Sequence, residues 1–361
     1  MYFTTMNLPA PPYSEFYKKH SMYKSKPFNA IHYFEEKLKL FFEVEAATTF
    51  TNCFTGIAIG LLYATEKKQK GIALAALAYR RTTDIVLWAG LEPIYIDNDL
   101  ETLCMCPYDL EKQLKKGSIG CVLIQHPMVN IIDPNIYISL CEKYNVNIVF
   151  DSVEATGGKY NGTRIGNFGL FEAFSLHPSK VINAAEGGVL TFGDEKNYHD
   201  FNKFIQKIGI NNNDKKMFGI EPIHAELGLA SIENYAKSTE DFKEQYCAYI
   251  ENLQNSRLYE LIKYQDKQDP NYKSILVRIN TKNTFFRIKL LEFLETFNIG
   301  ARPYYSPLHP KVDAKSYPNA SLLSEKFIIL PIGYSVTIKD VNFICKKLYE
   351  FQKEFFGREL D

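Results

Sequence analysis

Two ionisable side chains in this sequence stand where an α/β fold exposes them to a ligand. Asp151 ends the apolar segment NIVFD, and Lys180 ends the segment SLHPSK, which begins at Ser175. Ligands of open α/β sheets bind at the carboxyl ends of the strands, so a carboxylate that ends a strand can face a ligand. A lysine nearby is a candidate Schiff-base nucleophile, because burial and neighbouring cations increase the reactivity of an amine. Asp151 and Lys180 are therefore candidate catalytic residues.

The elements that must position these residues alternate in type along the first two thirds of the chain. Apolar segments predict strands, and apolar residues at helical spacing predict helices. The predicted strands are GIALAAL (71–77), PIYID (93–97), CVLIQH (121–126), NIVFD (147–151), FEAFSL (171–176) and GGVLTFG (187–193). The predicted helices are 31–43, 53–65, 82–89 and 134–144. Strands that are apolar throughout, with helices between them, indicate a mostly parallel sheet covered on both faces.

The last third of the chain has a different pattern. We expect a large α/β domain over residues 1–237 and a smaller α+β domain over residues 238–361. The first 30 residues, which are rich in proline, are expected to form an extended N-terminal arm of the large domain. The elements predicted after residue 220 are helices 224–236, 238–263, 283–297 and 338–356 and a strand in YKSILVRIN (272–280).

The composition excludes several classes of protein. The chain has 361 residues, of which 46% are hydrophobic, and it carries 42 Lys and Arg against 42 Asp and Glu. A net charge of zero gives no general attraction to nucleic acid, and no apolar run reaches the about 18 residues that a membrane span needs. The seven cysteines are scattered, which favours reduced thiols in the cytoplasm over disulfides or a metal site.

The motif around the two candidate residues is more specific than either residue alone. Between residues 151 and 188 it reads D-x-x-x-A-x-G-x-x-Y-x-G, G-N-F-G, F-S-x-H-x-x-K and E-G-G. This pattern resembles the core of the DegT-type (DegT/DnrJ/EryC/StrS) sugar-nucleotide aminotransferases. YRRTTDIVLWAGLEPIYIDND (79–99) and IGARPYYSPLHP (299–310) resemble further segments of that family. The resemblance implies a fold-type-I, aspartate aminotransferase-like fold, dependence on pyridoxal 5'-phosphate (PLP), and a homodimer.

The resemblance also implies roles for individual residues at a cofactor site. Lys180 matches the lysine that forms a Schiff base with PLP and later moves a proton between the donor and the cofactor. Asp151 matches the aspartate that pairs with the pyridinium nitrogen, and Ser175 matches a hydroxyl donor to the phosphate. Tyr79 falls where the family stacks an aromatic ring on PLP, although a core aromatic is the alternative. The other implied cofactor contacts are Glu154, Asn52, Cys53 and Phe54.

A loop near the C-terminus resembles the part of the family that lies against the sugar nucleotide. Arginine and lysine suit a diphosphate, and tyrosine suits stacking or hydrogen bonding. A rigid proline-rich connection is the alternative reading of this loop. The implied substrate-binding residues are Arg302, Tyr305, His309 and Lys311.

Three features depart from the family pattern. Cys53-Phe54 stands where Gly-Thr is usual, which keeps the backbone N–H groups of a phosphate-binding turn but removes a hydroxyl. Glu154 stands where Gln or His is usual, so its charge must be neutralised by a proton or by Arg80 or Arg81. No asparagine aligns with the residue that reaches the phosphate of the neighbouring subunit. The candidates lie upstream and are Asn211, Asn212 and Asn213.

The resemblance implies a PLP-dependent aminotransferase with L-glutamate as donor and a nucleotide-linked keto-deoxysugar as acceptor. Its segments look most like enzymes that aminate C4 of dTDP-4-keto-6-deoxyglucose, for a surface polysaccharide such as the O-antigen of lipopolysaccharide. Amination at C3 of a 3-keto sugar nucleotide is the competing expectation. A sugar dehydratase on the same fold and a non-catalytic regulatory protein are the alternatives from other classes. Lys180 argues against the dehydratase, which carries His at that position.

Overall fold

The computed structural model describes residues 30–129, 131–210, 218–265 and 268–357. Residues 1–29 of the predicted N-terminal arm, and the candidates Asn211, Asn212 and Asn213, lie outside these ranges. Within them the chain forms a seven-stranded sheet, a four-stranded sheet and a short three-stranded sheet.

The seven-stranded sheet holds the strand that ends at Asp151. Its order is β1-β9-β8-β5-β4-β2-β3, and only β9 runs antiparallel to its two neighbours. The mostly parallel sheet expected from the apolar strands is therefore confirmed. The strands up to residue 192 are β1 (Ala46–Phe50), β2 (Gly71–Ala75), β3 (Glu92–Ile96), β4 (Ile119–Gln125), β5 (Asn147–Asp151), β6 (Lys159–Tyr160), β7 (Thr163–Arg164), β8 (Glu172–Ser175) and β9 (Gly188–Phe192).

Helices pack around this sheet. They are α1 (Ala30–Phe42), α2 (Cys53–Ala64), α3 (Arg81–Trp88), α4 (Pro107–Leu114), α5 (Pro134–Lys143), α6 (Glu195–Lys207) and α7 (Pro222–Glu233). Small residues bring α2 close to the sheet, because a Cβ added at Gly60 would collide with the ring of Phe171. The second half of α2 is thereby fixed against the segment that leads into β8.

The second sheet lies in the last third of the chain and is antiparallel, with the order β10-β12-β14-β13. Its elements are α8 (Tyr235–Leu253), β10 (Tyr259–Leu261), β12 (Ile275–Ile279), α9 (Phe286–Thr296), β13 (Arg302–Pro303), α10 (Pro318–Lys326), β14 (Phe327–Leu330) and α11 (Ile338–Phe356). A further strand, β11 (Gln268–Asp269), pairs with β6 of the β6–β7 hairpin. None of the helices in the described ranges is long and apolar enough to cross a membrane.

The predicted helix 238–263 is wrong at its C-terminal end. α8 ends at Leu253, and β10 begins at Tyr259. Tyr259 and Leu261 are buried while Glu260 between them is exposed, which is the period of a strand. The predicted domain boundary at residue 237 falls in the first turn of α8, and the division into two domains stays a prediction.

Candidate active site

The carboxylate of Asp151 is buried at the carboxyl end of β5. The residue is 4% exposed, and Oδ1 accepts a hydrogen bond from the Val153 amide at a nitrogen-to-oxygen distance of 3.3 Å. Burial raises the pKa of this carboxyl to about 6, although the Val153 amide and Lys180 act in the opposite direction. A cationic N–H donor stabilises a buried carboxylate, so this position suits a ligand that carries one.

Lys180 and Glu154 form an ion pair close to Asp151. Lys180 follows β8, and Glu154 lies in the 3-10 turn Val153–Ala155 directly after β5. Because β5 and β8 are parallel neighbours, their carboxyl ends meet at one edge of the sheet. The Nζ atom of Lys180 lies 2.6 Å from Oε1 of Glu154, and the two side chains are 21% and 12% exposed. The two residues proposed for catalysis from the sequence therefore lie in one site.

The Glu154 carboxylate is charged in this arrangement. Burial raises the pKa of this carboxyl. Lys180 and two more distant cations together lower the pKa by more than burial raises it, so the pKa lies below its ordinary value. The expectation that a proton, Arg80 or Arg81 neutralises Glu154 is wrong. Arg80 and Arg81 are exposed at the start of α3, and the cation in contact with Glu154 is Lys180.

Lys273 is a charged residue of the site that the sequence analysis missed. It is 6% exposed just before β12, and burial lowers the pKa of its amine to about 7. The side-chain amide of Asn271 donates to the carbonyl oxygens of Glu154 and Thr156, each at 3.0 Å, and its own oxygen accepts from the Lys273 amide. The segment before β12 is thereby tied to the turn that carries Glu154. No local sequence pattern indicates a contact between segments so far apart in the chain.

The start of α2 offers backbone N–H groups to an anion. Asn52 is the N-cap, and its Oδ1 accepts from the amide and the hydroxyl of Thr55 at 2.8 and 3.0 Å. The amides of Cys53 and Phe54 come before the first carbonyl-bonded turn and have no acceptor within the helix. A Cβ added at Gly188 would collide with the backbone of Asn52 and Cys53, so only glycine lets β9 pass so closely. Free amides at a helix N-terminus favour a negatively charged group.

Ser175 reaches the same helix start through the register of the sheet. It pairs with Gly188, which lies against Cys53. The Oγ atom of Ser175 accepts a hydrogen bond from the His177 amide at 3.3 Å, which leaves the hydroxyl proton free to be donated. Burial, and after it the charge of Asp151, raises the pKa of the Cys53 thiol well above its ordinary value. Cys53 therefore lies between the start of α2, which is predicted to bind the phosphate, and the carboxylate of Asp151.

The rings of Tyr79 and Tyr305 lie near each other, and Tyr305 is close to Glu154 and Asp151. The Tyr79 amide donates to Oε1 of Gln125 at the end of β4, and the Tyr79 ring is 51% exposed, 6.4 Å from the ring of Tyr305. The hydroxyl of Tyr305 is buried and has no hydrogen-bond partner among the described residues. Burial, and after it the charge of Glu154, raises the Tyr305 pKa well above its ordinary value. Arg302 is one of the cations that lower the Glu154 pKa, so both residues lie near the ion pair.

The other two predicted substrate residues lie farther along the same loop. His309 contacts Asp84 of α3, with 3.2 Å between Nε2 and Oδ1. Lys311 is exposed, and its amide donates to Nδ1 of His309 at 3.2 Å. In this structure His309 therefore fastens the loop to α3, and Lys311 is the residue of the pair that faces solvent.

Comparisons with known proteins agree with this arrangement. The model of the DegT/DnrJ/EryC1/StrS aminotransferase family matches residues 19–349. The chain belongs to this family. It is a sugar-nucleotide aminotransferase of the DegT type, and PLP is its cofactor.

This DegT-family chain is similar to several curated proteins over most of its length. It is 27% identical over 346 residues to GDP-perosamine synthase of Escherichia coli O157:H7, which covers 90% of this chain and 91% of that protein. It is 23% identical over 378 residues to the lipopolysaccharide biosynthesis protein RfbH of Salmonella typhimurium, which covers 90% of this chain and 84% of that protein.

Solved structures share the fold of this DegT-family chain. The apo form of the putative sugar aminotransferase Spr1654 from Streptococcus pneumoniae has a TM-score of 0.87 at 17% identity, and covers 99% of this chain and 98% of that one. DesI, solved in the presence of its TDP-sugar product, has a TM-score of 0.86 at 18% identity, and covers 100% of this chain and 96% of that one. The expected fold-type-I, aspartate aminotransferase-like class is confirmed.

Proposed function

We propose that this chain transfers the amino group of L-glutamate to a nucleotide-linked keto-deoxysugar, with C4 of dTDP-4-keto-6-deoxyglucose as the first acceptor to test. The observation that carries the proposal is the amine of Lys180, paired with Glu154, at the same sheet edge as the buried carboxylate of Asp151. Both lie at the edge of the sheet where ligands of such folds bind.

The described residues fit PLP at this place. Asp151 is a buried carboxylate whose raised pKa calls for a cationic partner, which a protonated ring nitrogen supplies. The amides of Cys53 and Phe54 and the hydroxyl of Ser175 would bind the phosphate. The exposed ring of Tyr79 would cover one face of the cofactor ring.

The residues of this chain divide the proton transfers between them. When bound, PLP supplies an electron sink for the electron pair that remains on the donor Cα after its proton leaves. Lys180 takes that proton and delivers it to C4′ of the cofactor, and reverses the transfer for the sugar. Asp151 keeps the proton on the ring nitrogen, because a carboxylate beside an N–H⁺ group stabilises its charge.

The residues of the loop after β13 would hold the sugar nucleotide. Arg302 suits an anionic group, and the buried, unpartnered hydroxyl of Tyr305 suits a hydrogen bond to the sugar. Lys311, which faces solvent, suits the diphosphate, and His309 fixes the loop through Asp84. Three similar proteins are named GDP-perosamine synthase, from Escherichia coli O157:H7, Vibrio cholerae and Caulobacter vibrioides, so a GDP-linked sugar is the second acceptor to test.

Other readings of the site are weaker. Amination at C3 uses the same residues and stays an alternative to C4. The amine of Lys180 favours transamination over dehydration, and its contact with Glu154 in a buried site favours catalysis over a purely regulatory role. All seven cysteines are free thiols, which supports a cytoplasmic location. Similarity to a lipopolysaccharide biosynthesis protein supports a role in O-antigen synthesis.

A panel of nucleotide sugars tests the acceptor. The purified chain would be incubated with PLP, L-glutamate and the 4-keto or 3-keto sugars linked to dTDP, GDP or UDP. We expect an amino sugar and an equal amount of 2-oxoglutarate with a 4-keto-6-deoxy sugar, measured by mass spectrometry. Product from the 3-keto sugars alone would reject C4, and no transamination with any sugar would reject the proposal.

Lys180→Ala should leave the fold intact and abolish turnover. The described site holds no second amine in contact with Glu154 that could replace Lys180 as the nucleophile. Turnover should fall by at least about 10⁴-fold, the size of effect expected when a covalent nucleophile is removed. Borohydride reduction of the PLP-loaded wild type should attach the cofactor to Lys180, as shown by peptide mapping. Attachment to a different lysine would overturn the site.

A further inference from the structure

Glu154 holds the amine of Lys180 within a largely buried ion pair. The nitrogen-to-oxygen distance is 2.6 Å, and both side chains are less than a quarter exposed. Glu154 places a carboxylate where the resemblance implies Gln or His. A carboxylate in contact with an amine favours its ammonium form, which Gln does not.

The main chain that carries Glu154 is anchored, whereas the Lys180 amine lies at the end of a flexible side chain. The Ala155 amide donates to the Ser152 carbonyl at 3.0 Å and closes the turn that carries Glu154. On the other side, Asn271 donates to the Glu154 carbonyl at 3.0 Å. Lys180 has a flexible four-carbon stem that can turn from one partner to another. Lys180 is therefore the residue that moves between the contact with Glu154 and a bond to the cofactor.

Two further cations act on Glu154 besides Lys180. Arg302 and Lys273 both lower the pKa of its carboxyl, although neither is the cation in closest contact. The Arg302 guanidinium still favours the carboxylate form of Glu154 while Lys180 is bonded elsewhere.

We propose that Glu154 is a positioning residue that holds the Lys180 ammonium group when Lys180 carries a proton and is not bonded to the cofactor. This inference rests on the proposed function, in which Lys180 bonds to C4′ of PLP. Once the donor amine takes the place of Lys180 at C4′, Lys180 would be a free amine. It would accept the proton from the donor Cα, and the resulting ammonium group would pair with Glu154 until the proton passes to C4′.

The ion pair must break each time Lys180 bonds to PLP. Its strength therefore opposes PLP binding, by the reciprocity of coupled equilibria. It does not oppose 4′-deoxypyridoxine 5′-phosphate, which has the same ring, phenol and phosphate but a methyl group in place of the aldehyde. The ratio of the two dissociation constants isolates the pair, because direct contacts of Glu154 with the ring or phosphate affect both compounds alike.

The test is the preference of the cofactor-free, full-length chain for PLP over this analogue, before and after Glu154→Gln. We expect the substitution to increase the preference for PLP about tenfold, because one buried ion pair no longer opposes the bond to Lys180. An unchanged preference would show that Glu154 is indifferent to the state of Lys180. A reduced preference would show that it supports the bonded state. Either result overturns the inference.

A second readout needs no cofactor. Reductive methylation of the cofactor-free chain modifies free amines but not ammonium groups. Glu154→Gln should increase the methylation rate of Lys180 relative to the exposed Lys311, because the amine loses its contact with the carboxylate, measured by peptide mass spectrometry. An equal rate in both proteins would contradict the pairing.

Two control variants complete the design. Glu186→Gln removes an exposed carboxylate between Lys180 and β9 and should leave the preference unchanged. In a Lys180→Met background, Glu154→Gln should also leave it unchanged, because no lysine remains to be held. A change in that background overturns the inference.

Borohydride labelling of the PLP-loaded wild type separates the two levels of failure. A label on Lys180 together with an unchanged preference rejects only the role of Glu154. A label on another lysine removes the site on which the proposed function itself depends.

Discussion

The buried carboxyl of Asp151 is ionised at neutral pH, and this buried charge reduces the stability of the cofactor-free chain. Its folded pKa of about 6 exceeds the ordinary 3.8, so the folded state binds more protons than the unfolded state between these pH values. The contribution of Asp151 to the free energy of unfolding is therefore greatest below about pH 4 and decreases as the pH rises towards 6 and beyond. At pH 8 the charge costs about 3 kcal/mol.

Asp151→Asn should therefore stabilise the cofactor-free chain and inactivate the enzyme. We expect the free energy of unfolding to rise by about 3 kcal/mol at pH 8 and to change little at pH 4, measured by urea denaturation. Turnover should fall strongly, because an amide does not hold the proton on the ring nitrogen. Near-normal turnover would remove Asp151 from the mechanism, and an equal gain at both pH values would contradict the burial of its charge.

At the residue scale, the sequence predicts what lies within one motif. Asp151, Ser175 and Lys180 come from a single stretch of chain, and the structure brings them to one sheet edge. The counter-charge of Glu154 was predicted wrongly, because Arg80 and Arg81 were chosen by their proximity to Tyr79 in sequence. The contributions of other segments depend on packing, which the sequence pattern does not show.

At the element scale, helix α10 is capped by a residue from the seven-stranded sheet. Its N-cap residue, Tyr317, provides no side-chain hydrogen bond. Instead the carboxylate of Asp97, after β3, accepts from the amides of Asn319 and Ala320 at 3.1 and 2.8 Å. The side-chain amide of Asn319 donates in return to the Asn98 carbonyl at 2.9 Å. The loop after β13, for which we propose substrate binding, leads into α10 and is thereby fixed to the segment after β3.

Asp97→Ala should loosen this attachment. We expect a loss of about 1 to 3 kcal/mol in the free energy of unfolding, because the buried amide of Ala320 and the partly buried amide of Asn319 lose their acceptor. The KM for the sugar nucleotide should rise while PLP occupancy is unchanged. Asp99→Ala, whose carboxylate caps only its own exposed turn at Thr102, should not change the KM. Equal effects of both variants on the KM would show that α10 does not position the loop.

Element prediction succeeded where local signals were strong. Helix α11 matches its predicted bounds, since a capping box between Thr337 and Asp340 opens it and apolar residues repeat at helical spacing. The short strand β14 was missed, because FIIL follows α10 without a turn signal. The error over residues 254–263 arose because pairing with β12 overrides the helical propensity of a charged segment.

At the scale of the whole molecule, we expect a homodimer. Symmetric dimers are the commonest closed assembly, and the family that the sequence resembles completes its site across subunits. Large aromatic side chains are exposed beside the site, with Tyr79 51% and Trp88 65% exposed. Sedimentation equilibrium of the active enzyme should give twice the chain mass of 41.6 kDa. A fully active monomer would contradict the expectation.

The short sheet of β11, β6 and β7 can be completed only late in the synthesis of the chain. Gln268 pairs with Tyr160, and its side chain bonds to both the amide and the carbonyl of Ile131 at 3.1 and 2.9 Å. These groups leave the ribosome more than a hundred residues before Gln268 does. Until β11 is synthesised, the edge of β6 that pairs with it stays unpaired. A nascent chain shorter than 268 residues therefore depends on chaperones or on its own solubility to avoid association.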